Sequence, residues 1–154
     1  MTKKRKFLAI ILSLLTVLLI AVIFLHSAKT GNESVRDSDK FLLIPDSIMS
    51  LFGVEASRDL SSYIVRKTAH FLEYFALSLL ISSLIYTLTD DPKRIGFALP
   101  NSLFISIIDE FVIQASTFGR SPEFKDVLID FVGAITACVL LTLVIRSKTK
   151  RSKK

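Results

Sequence analysis

From residue 7 to residue 25 the chain runs FLAIILSLLTVLLIAVIFL without one charged side chain. A helix of that length, rising about 1.5 Å per residue, crosses a hydrocarbon core of about 30 Å. The run sets the class of protein. With 51% hydrophobic residues and a mean hydropathy of +0.53, the whole chain agrees with it and reads as a membrane protein. Lys3 to Lys6 resemble the n-region of a cleaved signal peptide. However, the run exceeds a usual h-region, and His26-Ser27-Ala28 puts a bulky side chain where cleavage wants a small one, so an uncleaved anchor is expected.

Three further spans are expected at 66–88, 95–113 and 126–145. The expected fold is all-α: a single integral membrane domain over 1–154, built as a four-transmembrane-helix bundle. A polar outer linker and a short amphipathic helix occupy 26–65. Residues 26–43 are polar and mixed in charge, and read as linker. From Pro45, the helical spacing of Ile44, Ile48, Leu51 and Phe52 marks a short surface helix broken at Gly53 and resumed after Ser57. Ser57 is an N-cap candidate, with Asp59 in the first turn. Pro100 is expected to kink the third span, and 114–125 to form a loop. Gly133 and Ala137 form a small-x-x-x-small pair that lets helices approach closely.

Four spans put both termini on one side. Lys3 to Lys6 and the tail at 146–154, with Arg146, Lys148, Lys150, Arg151, Lys153 and Lys154, make that side the cytoplasm. The same positions explain the basic ends through membrane lipids, with no need of nucleic acid. Cys138, the one cysteine, lies in an apolar run and reads as a small packing residue.

Polar residues interrupt the spans in an ordered way. At 100° per residue, Arg66, His70 and Glu73 fall within about 60°, with Lys67 and Tyr74 widening the arc to about 120°. Ser102, Ser106, Asp109 and Glu110 share about 100° of the third span, and Asp126 and Asp130 lie with Gly133 and Ala137 within about 60° of the fourth. In the expected topology all three faces lie within about two turns of the outer surface. Ionisable groups at such depth cost roughly 2.5 to 3.5 kcal/mol each. Faces that agree in depth across three helices therefore suggest one shared site.

Glu73, Asp109, Glu110, Asp126 and Asp130 outnumber the cations Arg66, Lys67 and Arg120, which leaves the site short of positive charge. Protonated carboxyls, a divalent cation or a cationic ligand would restore the balance. Alternatively, the arginine forks hold a ligand phosphate or carboxylate. The spacing matches no recognised metal motif, and no cofactor is indicated.

Arg66-Lys67-x-x-His70-Phe71-x-Glu73-Tyr74, then Asp109-Glu110, Gln114 and Gly119-Arg120, then Asp126-x-x-x-Asp130-x-x-Gly133-Ala134 resemble, over about residues 20–145, the VanZ-like integral membrane family. Members often carry a histidine directly before the glutamine, where this chain has Ile113, and here the gap from Glu110 to Gln114 is one residue longer. The resemblance implies a bacterial envelope protein, in a family associated with low-level resistance to the glycopeptide teicoplanin; it names no substrate.

Three readings follow. In the first, the polar site binds an envelope, cell-wall or lipid-linked ligand through Arg66, Lys67, His70, Glu73, Tyr74, Asp109, Glu110, Gln114, Arg120, Asp126 and Asp130. In the second, a membrane enzyme uses His70 or Glu73 as acid or base, with Asp109 and Glu110 as further catalytic candidates. In the third, the same groups only hold the spans together. A homo-oligomer is compatible with each, since four spans enclose little volume.

Overall fold

The computed structural model describes residues 1–51, 53, 55 and 57–151, and these are all-helical with connecting turns. In order come α1 (Lys3–Ser27), α2 (Gly31–Asp39), α3 (Leu43–Leu51), α4 (Arg58–Thr89), α5 (Ala98–Ile108) and α6 (Phe124–Arg151). A 3₁₀ turn (Pro92–Phe97) enters α5; a π-turn (Asp109–Ile113) and a short 3₁₀ turn (Gln114–Ser116) leave it. Among the described residues, four stretches are long and apolar enough to cross a membrane: Lys3–Ser27, Arg58–Thr89, Pro92–Ser116 and Phe124–Lys148. The expected all-α, four-span architecture is present.

Lipid tails are as apolar as leucine, so burial from water cannot pull spans together; close packing and hydrogen bonds must. The α4–α6 contact, the most extensive in the molecule, is built that way. A Cβ added at Gly133 would fall on the Phe71 carbonyl oxygen, so only glycine allows α6 this close to α4. One turn on, Ser78 Oγ donates to the Ala134 carbonyl at 3.0 Å, and Cys138 Sγ packs between the hydroxyls of Ser78 and Ser82. Cys138 is the buried packing residue expected of it. By contrast, α1 turns most of its surface outward, with Leu14 and Val17 each 66% exposed.

Several boundaries differ from expectation. The stretch read as linker contains α2, because Thr30 and Glu33 form a capping box: Thr30 Oγ1 accepts from the Glu33 N–H while the Glu33 carboxylate accepts from the Thr30 N–H at 2.9 Å. Ser57 caps α4 as expected, its Oγ accepting from the Leu60 N–H at 3.3 Å, and the helix that resumes there runs without a break into the span expected from 66, giving one helix over Arg58–Thr89. Pro100 falls in the first turn of α5, where its missing N–H breaks no helical bond, and the irregularity of that span lies instead in the π-turn. α3 covers the expected surface helix; Phe52 and residues 152–154 lie outside the described residues. The end of α1, the starts of α4 and α6 and the π-turn all meet beneath α2, and this end of the bundle holds the polar residues.

Candidate functional site

Arg66, His70 and Glu73 from α4 line one cavity of about 410 Å³. His26 and Ser27 at the end of α1 form a second side, α2 the roof, and Arg120 reaches in from the loop before α6. That loop is fixed by a close backbone approach. The Gly31 N–H donates to the Phe118 carbonyl at 3.1 Å, Gly119 sits at φ +74°, and a Cβ on Gly31 would fall on the Gly119 carbonyl oxygen. Arg120 can then bridge two elements, with Nη1 donating to Gln114 Oε1 and Nη2 to Ser34 Oγ, both at 2.7 Å.

Behind the cavity wall lies a second, drier layer. Lys67 Nζ is ion-paired with Asp126, 3.3 Å from Glu123 Oε2 and over the Tyr63 ring. His70 Nδ1 lies 3.2 Å from Asp130 Oδ1, and Ser106 Oγ donates to Asp130 Oδ2 at 2.6 Å. Ser27 Oγ donates to Asp109 Oδ2 at 2.9 Å, while Asp109 Oδ1, Ser102 Oγ and the Tyr74 hydroxyl have no hydrogen-bond partner among the described residues. Glu73 instead turns to α1, with Oε1 2.8 Å from His26 Nδ1.

The π-turn explains how Asp109 and Glu110 both enter this layer. Consecutive residues on a regular helix diverge by about 100°, yet these are 1% and 0% exposed. A π-turn accommodates one extra residue and widens the helix locally. It thereby absorbs the longer gap after Glu110, and Gln114 returns to the site, with Nε2 donating to Glu110 Oε2 at 2.5 Å. Glu110 Oε1 accepts from the Glu123 N–H at 2.6 Å.

The excess of acids over cations is not spread evenly through this arrangement. Asp109, Glu110, Asp126 and Asp130 are buried behind the wall, and Lys67, His70, hydroxyls, an amide and a backbone N–H serve them. Among the described residues, no three His, Cys, Asp or Glu side chains converge as metal ligands would. The cavity itself is lined by Lys29, Lys40, Arg66 and Arg120 against only Asp37 and Glu73. Asp37 is held well below the usual aspartate range by its hydrogen bonds to Lys29 and Lys40. Arg66 is partly buried and has no hydrogen bond or ion pair among the described residues. Burial, and next the Arg66 guanidinium, hold Arg120 below the ordinary arginine value. Two guanidinium groups thus share one cavity, and one of them is unpartnered.

The model of the VanZ/LLP1 family matches residues 12–145. The chain belongs to the VanZ/LLP1 family. No curated protein and no solved structure matches it. As a VanZ/LLP1 member it is a polytopic helical membrane protein, and the resemblance carried by the Arg66 to Tyr74 segment is borne out at the level of family.

Of the residues singled out in this VanZ/LLP1 sequence, Arg66, His70, Glu73 and Arg120 meet in the cavity; Lys67, Tyr74, Asp109, Glu110, Gln114, Asp126 and Asp130 lie in the layer behind it. Sequence reasoning missed His26, Ser27, Lys29, Ser34, Asp37 and Lys40. Their signal was the Thr30-x-x-Glu33 capping box, which turns a supposed linker into a helix able to roof a site.

Proposed function

We propose that this VanZ/LLP1 protein binds the anionic group of an envelope or lipid-linked ligand in the cavity beneath α2. It does so in a bacterial cell membrane, with both termini cytoplasmic and the cavity facing outward. The observation that carries the reading is Arg66: a partly buried guanidinium with no partner among the described residues, lining the same cavity as Arg120. Like charges so placed repel until an anion lies between them, and arginine forks suit phosphate and carboxylate oxygens. A purely structural network gives no account of Arg66, which holds nothing together. Any effect on glycopeptide response would follow from occupancy of this cavity. The test is thermal unfolding of the detergent-solubilised full chain with inorganic phosphate and with acetate. Stabilisation that Arg66→Ala and Arg120→Ala abolish is the expected result; no stabilisation by either anion would overturn the reading.

A membrane enzyme is the second reading, and the His70 environment favours it. Nδ1 is oriented by Asp130, itself fixed by Ser106, while Nε2 has no partner among the described residues and the ring lines the cavity. A carboxylate that orients imidazole is how many general bases are held. Under this reading, His70→Gln retains anion binding but loses turnover of a phosphate-ester substrate; a wild-type protein that hydrolyses no such ester argues against it.

A further inference from the structure

The cavity has two chemically different walls. Its roof and loop side are cationic and hydroxyl-bearing, whereas Phe41, Val65 and Ala69 form an apolar flank. At 100° per residue, Val65, Ala69 and Leu72 lie within about 60° of one another on α4. Leu72, 54% exposed, carries this stripe out of the cavity along the span, and Phe41, 53% exposed, stands at the flank. An apolar path therefore leads from the two arginines toward the lipid-facing side.

Helix lengths fix the depth of that path. α4 has 32 residues, about 48 Å, against a hydrocarbon core of about 30 Å. Counting back about 20 residues from its end at Thr89 puts the hydrocarbon boundary near His70. α1 gives the same answer, because about 20 residues from Phe7, where its charges end, reach His26, which pairs with Glu73. Arg66 is then at headgroup level and Leu72 within hydrocarbon.

We propose that the ligand is a membrane amphiphile: its phosphate headgroup lies between Arg66 and Arg120, and its chain runs past Phe41 along Val65, Ala69 and Leu72 into the bilayer. The inference rests on the anion reading of the same cavity. Free phosphate shares the headgroup chemistry but makes no use of the apolar flank, so chain length separates the two sources. The full chain in a neutral maltoside detergent is titrated with inorganic phosphate, butyl phosphate and hexadecyl phosphate. Wild type is expected to prefer hexadecyl phosphate to inorganic phosphate by about tenfold or more. Arg66→Ala should weaken both while keeping that preference. Phe41→Ala and Ala69→Trp should each cut the preference at least about threefold, and the Phe41 variant, altering only an exposed side chain, guards against a folding defect at Ala69. Phosphate binding without chain preference, or a preference that neither flank variant alters, overturns the amphiphile and leaves the anion reading standing. No binding of any of the three phosphates overturns the amphiphile, and the anion reading falls with it when acetate does not bind either.

Discussion

Arg5 and Arg66 sit near opposite ends of the same bundle and live in opposite circumstances. At one end, Arg5 wraps the C-terminus of α4. Its Nε and Nη2 donate to the Thr87 carbonyl at 3.1 and 2.7 Å, Nη2 also reaches the Tyr86 carbonyl, and Nη1 pairs with Asp90 at 2.7 Å. Among the described residues the Thr87 carbonyl has no backbone donor, the Tyr86 carbonyl already accepts from the Asp90 N–H at 2.9 Å, and both lie at the negative end of the helix dipole, so the guanidinium serves the one and offsets the charge at the other. At the other end, Arg66 is equally available and nothing in the described chain answers it. Lys67, its immediate neighbour, belongs with Arg5: Asp126, Glu123 and the Tyr63 ring surround it. Cations that a fold uses are saturated by the fold. One left open beside another cation is what the proposed anion would complete.

The contrast makes different demands on stability, and the sharpest test is the saturated cation. Asp126→Ala leaves Lys67, whose side chain is 10% exposed, with only Glu123 at 3.3 Å, itself 46% exposed. Stranding a buried charge costs about 3 kcal/mol or more, which thermal or denaturant unfolding in detergent would register as the largest loss of any single change discussed here. If Asp126→Ala is harmless, the division into a structural inner layer and a functional cavity fails.

Arg5→Ala should come next, at about 1–2 kcal/mol, because it leaves the Thr87 carbonyl without its donors and Asp90 without its ion pair at a partly exposed site. Phosphate affinity should not move, since the cavity lies at the other end of α4. Arg66→Ala should do the reverse: stability within about 0.5 kcal/mol of wild type, and phosphate affinity down by about tenfold or more. Paired measurements of unfolding and binding on the two variants decide the comparison. A stability loss at Arg66 as large as that at Arg5 would mean that Arg66 too is structural.

What the sequence made legible follows from which features are local. Uncharged runs and helical periodicity belong to single segments, so α1, the apolar parts of α4 and α6, and the polar arc of Arg66, His70 and Glu73 could be read directly. Ser57 announces the start of α4, but nothing local says that the helix resumed there runs unbroken into the span that hydropathy starts at 66. The residues that pair across elements were less accessible. His26 meets Glu73, and Ser27 meets Asp109, only because α1 ends at the depth where α4 and the π-turn present their acids. The longer gap after Glu110 was visible, but nothing local says whether a helix takes up an extra residue by a π-turn or by losing register. The division of charge between cavity and wall was out of reach for a related reason: a count of charges has no depth, and depth is what separates Asp109, Glu110, Asp126 and Asp130 from Arg66 and Arg120.

The smallest effect concerns the roof, where paired and unpaired cations meet in one wall. Asp37 binds Lys29 at 2.7 Å and Lys40 at 2.6 Å, and these contacts depress its pKa below the ordinary 3.8. A depressed carboxyl contributes stability that is complete above the unfolded value and is lost as pH falls through the folded one. The roof should therefore be indifferent to pH between 5 and 8, and loosen only below about 4, which amide exchange along Gly31–Asp39 would detect as a local change without global unfolding. Asp37→Asn removes that acid dependence and releases both lysines beside Arg66. If open cations are what bind the ligand, converting Lys29 and Lys40 from paired to open must raise phosphate affinity even as α2 loosens; a fall in affinity would show that the roof's closure, rather than its charge, governs binding.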